Sequence, residues 1–135
     1  MSTWRQTFNP IQDQVVRRLE LVGRRVALDA FARVVNRTPV DTGRARGSWG
    51  VAVGQPRPGP HDRADTTGAD VNREAQQAVA TLNLGDRVFL VSNLAYIPVL
   101  ESGSSQQAPS GMVAITRNEL QPMAAAAVRE ARRAG

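Results

Sequence analysis

A chain of 135 residues with 41% hydrophobic and only 4% aromatic content has room for one domain, its core made mostly of Val, Leu, Ile and Ala. The absence of cysteine excludes disulfides and thiolate metal sites, and no apolar run approaches the roughly 18 residues of a membrane span. The formal charge of +5 rests on 17 basic residues, every one an arginine, which admits nucleic acid or acidic protein as partner and selects neither.

The N-terminus lacks the apolar block of a signal peptide, so a soluble protein made in the cytoplasm is expected, with no membrane partner. From about Pro10 to Asn36 the pattern predicts one long helix, with Asn9 as N-cap and Pro10 in the first turn. Ile11, Val15, Leu19, Val22, Val26 and Ala30 form its main apolar stripe. Leu21, Leu28, Phe31 and Val35 form a second apolar set on the far side, which calls for a second packing partner. A neighbouring subunit is the expected one.

Thr38-Pro39 ends this helix, because a residue before proline is pushed out of the α region. Trp49, Val51 and Val53 alternate with small or polar residues, the period of a half-buried strand. Residues 54–69 carry three prolines and no apolar period, which predicts a mobile surface loop. Asp70 is placed to cap a second helix with Val71, Ala75, Ala78, Val79 and Leu82 on one face, closed by Gly85. Residues 87–93 read as an apolar strand covered on both faces. The Pro, Gly and Ser-rich stretch after it leaves room for a single turn. A C-terminal helix is expected over about 110–133, kinked or divided by Pro122.

The sum is an α+β domain spanning 1–135. A long N-terminal helix and a C-terminal helix pack on a small, mainly antiparallel sheet, with one shorter helix. So small a sheet is marginal without helices or a neighbour to cover it.

Asp41-Thr42-Gly43 is the triplet that aspartic peptidases place around each catalytic carboxylate. That chemistry needs apolar strands on both sides and a second Asp sharing one proton. Here a helix lies upstream, and Arg44 and Arg46 follow, whose charge favours an ionised Asp41. The residues read better as a corner, with Asp41 accepting backbone hydrogen bonds and Gly43 supplying a positive φ. The single histidine, His61, lies in the Pro/Gly-rich loop. No phosphate-cradling glycine motif, His pair at metal spacing or Gly-x-Ser-x-Gly elbow is present, and neither cofactor nor metal is expected. A DNA-binding reading has Arg24, Arg25 and the C-terminal Arg129, Arg132 and Arg133, but few aromatics for base stacking.

Two separated segments, "TPVDTGRARGSW" from Thr38 to Trp49 and "VSNLAYIPVLESGSSQQAPSGMVAITRNEL" from Val91 to Leu120, resemble one family. They are similar to the two signatures of tail-completion, or head–tail joining, proteins of long-tailed bacteriophages and related gene transfer agents. With the long helix, the likeness covers most of the chain. It departs from the family at Ser102, where an aromatic is common, and at Pro122 in the last helix.

The resemblance implies a virion protein of the neck without enzyme activity, assembled as a ring, hexameric in the family's manner. The implied neighbours are the tail terminator, tail tube, tape-measure and head-completion proteins, with DNA in the lumen within reach. The implied contact residues are Asp41, Thr42, Gly43, Arg44, Arg46 and Trp49 in the first segment. In the second they are Tyr96, Pro98, Glu101, Gly103, Ser104, Ser105, Gln107 and Pro109. Leu21, Leu28, Phe31 and Val35 are the candidate subunit contact. For each segment the competing reading is a corner that shapes the monomer.

Overall fold

The computed structural model describes the backbone of residues 3–134 and the side chains of residues 10–133. Its elements in chain order are α1 (Thr3–Arg37), α2 (Arg44–Gly47), β1 (Gly50–Val53), α3 (Ala69–Val79), β2 (Val88–Val91), α4 (Ile97–Glu101), α5 (Val113–Asn118) and α6 (Leu120–Ala134). The architecture is α+β. None of the described helices is long and apolar enough to cross a membrane.

α1 has 35 residues, about 52 Å at 1.5 Å per residue. It begins seven residues before the expected start, so Pro10 lies inside it and Asn9 is not its N-cap. Proline costs a helix one backbone hydrogen bond and bends it, without forbidding helical turns on its N-terminal side. The other end is where Pro39 requires it. There Thr38 donates to the Val34 carbonyl twice, through its N–H at 3.1 Å and its Oγ1 at 2.8 Å.

β1 and β2 form a two-stranded antiparallel sheet with Gly50 opposite Val91 and Val53 opposite Val88. All four β2 residues are half-buried, so this strand is not covered on both faces. The sheet packs against α3, which also lies along α1. The main core gathers Val34, Val35, Trp49, Val71, Ile97 and Met112.

This packing corrects one residue of the expected subunit contact, Val35, and leaves Leu21 half exposed. Val35 is fully buried in the domain's own core, and Leu28 and Phe31 are half-covered. The reason is that α3 and α6 both return along the C-terminal half of α1. Near the start of α6, Glu119 meets Arg33 and Arg37; near its end, Glu130 meets Arg25 at 3.5 Å. Met123, Ala127 and Ala131 are its buried face. On α3's side, Arg24 donates to the Leu82 carbonyl at 2.9 and 3.1 Å. Over the first half of α1 the burial is only partial, reaching Val16, Arg18 and Glu20. Ile11, Val15, Leu19 and Leu21 are each about half exposed. The exposed apolar surface therefore lies mainly on the first half of the main stripe.

Residues 54–68 have no regular structure, yet they are anchored; residue 69 already belongs to α3. Arg63 donates to the Gly47 and Trp49 carbonyls, each at 2.9 Å, and pairs with Glu74. Asp65 is buried, and its Oδ2 accepts the N–H groups of Asp70 and Val71 at 3.0 and 3.1 Å. Asp65 thus serves the start of α3, the role assigned to Asp70 from sequence. α3 stops at Val79, well before Gly85. The C-terminal helix is divided as Pro122 demands: α5 ends at Asn118, and Pro122 occupies the first turn of α6, where its missing N–H costs nothing. The opening near Ser110 is corrected to Val113.

Candidate functional site

The corner after α1 is built on Gly43, whose φ of +86° is open to glycine at little cost. Its carbonyl accepts the N–H of Gly47 at 2.9 Å and of Asp65 at 3.0 Å. A Cβ at this position would lie 2.9 Å from the Asp65 nitrogen. Thr42 Oγ1 accepts the Arg44 N–H at 3.3 Å. Asp41 is exposed and has no described hydrogen bond, so Thr42 and Gly43 hold the turn rather than Asp41.

Arg46 ties the corner down. Its guanidinium donates to the carbonyls of Asn36 at 2.7 Å, Thr38 at 3.1 Å and Thr66 at 2.6 Å. Two of these lie at the C-terminal end of α1, where unpaired carbonyls and the helix dipole favour a cation. Trp49 is buried and donates from Nε1 to Thr38 Oγ1 at 2.9 Å.

The second segment is shaped by comparable bonds. Glu101 receives the N–H groups of Met112 and Val113 on Oε1 and of Ala114 on Oε2, each at 2.9 Å, and so caps α5. Partial burial pushes the Glu101 carboxyl up. The three backbone N–H groups and nearby Arg117 outweigh it and hold the group below the usual carboxylate range. Gly103, at φ +90°, turns the chain against Pro109. Ser105 Oγ accepts the Gln107 N–H at 3.1 Å.

The two segments meet. The Gln107 amide accepts the Val40 N–H at 2.8 Å and donates to the Val40 carbonyl at 3.1 Å, as a strand neighbour would. Ser48 and Ser92 join them again, Oγ to Oγ, at 2.7 Å. Between them lies an open groove of about 250 Å³, with Val40, Asp41 and Thr42 on one wall and Tyr96, Leu100 and Gln107 on the other. Tyr96 is 40% exposed. Arg44, Pro98, Ser104 and Pro109 are exposed but line no part of it. Gly43, Arg46, Trp49, Glu101 and Gly103 shape the monomer, while Asp41, Thr42, Tyr96, Ser105 and Gln107 face the groove.

Sequence reasoning missed Glu119, which bonds to Arg37, with Nη2 to Oε2 at 2.9 Å, and to Arg33 at 3.2 Å. The Arg37 bond holds the Glu119 carboxyl down at about 2, against a smaller opposing effect of burial and with help from Arg33. Its only sequence signal was two arginines four apart on α1. Sequence reasoning also missed Asp65, whose signal was a carboxylate four residues ahead of the α3 start, the end that favours negative charge.

The groove offers shape, one phenol and one carboxylate. Among the described residues no three of His, Cys, Asp and Glu gather where they could hold a metal. Asp41 sits between α1 and α2 rather than between strands. Compared with protein-family models, curated proteins and solved structures, the chain matches none.

Proposed function

We propose that this chain is a non-enzymatic structural subunit of the neck of a long-tailed phage or related gene transfer agent. It completes the head-proximal end of the tail and helps join tail to head, as a ring of identical copies. The observation that carries the reading is the meeting of its two family-like segments at one groove, fixed from both sides by Gln107. A rigid groove suits docking, because little ordering entropy remains to be lost on contact.

Ring formation is supported by the first half of α1. Covering the remaining half of Ile11, Val15, Leu19 and Leu21 is worth about 3–6 kcal/mol in total. A neighbouring copy, arranged head to tail, would supply that cover and close a ring.

The test uses two variants. Replacing Ile11, Val15 and Leu19 with Ser should leave a helical, folded chain that light scattering finds monomeric where the parent is oligomeric. Tyr96→Ser with Asp41→Arg should keep the oligomer, while heads and tails accumulate unjoined. Normal yields of joined particles from both folded variants would overturn the reading.

A further inference from the structure

The antiparallel packing of α6 on α1 brings arginines from both ends of the chain to one end of the molecule. Arg17, Arg18, Arg24 and Arg25 lie there on α1, and Arg129, Arg132 and Arg133 on the last turns of α6, tied in by the Arg25–Glu130 pair. Of the nearby carboxylates, Glu20 serves Arg24 at 4.0 Å, and Asp29 and Glu130 both serve Arg25. Arg17, Arg129, Arg132 and Arg133 are exposed and have no described carboxylate partner.

We propose that this arginine end binds the phosphate backbone of duplex DNA without reading its sequence. Arg129 and Arg133 are one helical turn apart and Arg132 lies beside them, so all three share the α6 face opposite buried Ala127 and Ala131. Guanidinium pairs with phosphate through two parallel N–H bonds. Between Ala124 and Arg133 there is no aromatic, Leu or Ile. The one exposed large apolar side chain there is Val128, so the face lacks an aromatic to stack on bases and the large anchor at the centre of a protein interface, and offers a lipid surface a single Val. What remains is charge on a convex helix, which suits a polyanion. The ordinary alternative is that these cations only complement the helix dipole. This proposal does not depend on the neck reading.

The experiment is fluorescence anisotropy of the full chain with a labelled duplex of about 30 base pairs, between about 50 and 200 mM salt. Four phosphate contacts give a log–log slope near −3.6, at about 0.9 per contact. Replacing Arg129, Arg132 and Arg133 with Gln should flatten it by about 2.7, and Arg17→Gln alone by about 0.9. Replacing Arg44, Arg57 and Arg87 with Gln removes the same charge elsewhere and should leave the slope unchanged. Circular dichroism checks that each variant is folded. The proposal fails if the parent does not bind at the lowest salt, or if the control triple weakens binding as much as the α6 triple. Tighter binding to phosphatidylglycerol vesicles than to duplex would also overturn it. So would an α6 triple that loses only thermal stability and binds as the parent does.

Discussion

Glu101→Ala separates a contact residue from a structural one. The substitution removes the acceptor for three N–H groups at the start of α5, those of Met112, Val113 and Ala114. Val113 and Ala114 are exposed, so water replaces most of what their N–H groups lose; that of Met112 is partly buried. A bond to a charged acceptor is worth about 1.5–3 kcal/mol where water cannot substitute, and loss of a helix cap costs about 1. These descriptions overlap, and a total near 2 kcal/mol is expected. At about 2.1 cal/mol/K per residue, unfolding entropy for this chain is about 0.28 kcal/mol/K, so Tm should fall by about 7 °C. The assay is thermal and urea unfolding followed by circular dichroism at neutral pH. Glu101→Gln keeps one oxygen but turns an N–H donor towards Ala114, and should cost about half as much. Because the folded carboxyl titrates below its ordinary 4.5, its contribution is present above that value and fades as pH falls through the folded value. The gap between parent and Ala variant should therefore narrow in acid. A Tm loss under about 2 °C, or a gap that widens in acid, would refute the capping argument.

Gly43→Ala should cost about 1–3 kcal/mol in urea unfolding, from the positive φ together with a Cβ 2.9 Å from the Asp65 nitrogen. Gly54→Ala, at φ +91° with nothing within 4 Å, should cost less, and the difference isolates the crowding. Glu119 titrates at about 2 in the folded chain, so the stability it contributes is present above its ordinary 4.5 and is lost as pH falls from there through about 2. Glu119→Gln should remove that part of the acid dependence, and carboxyl NMR titration of the parent should place the midpoint well below 4.

Several elements of this protein were legible from a local rule, although the expected starts at Pro10 and Asp70 and the stop at Gly85 were not where the helices begin and end. Pro39 ends α1, Pro122 divides the C-terminal helices, and the alternation after Trp49 marks β1, because each rests on sterics or periodicity within a few residues. The corner at Gly43 was legible for the same reason. The roles of its neighbours were not. Asp65 rather than Asp70 serves α3, Glu101 caps α5 across a span of 11–13 residues, and Gln107 pairs with Val40 across 67. Such bonds depend on where two distant backbones come to rest, which no local period encodes. The same holds for α1. Its two apolar faces were visible in the sequence, but the returning α3 and α6 decide which residues stay in water. They leave Ile11, Val15, Leu19 and Leu21 about half exposed, while Val35 is buried among Trp49, Val71, Ile97 and Met112. Apolar periodicity shows that a helix face is to be covered; only the lengths and directions of the elements packed on it determine where that cover stops.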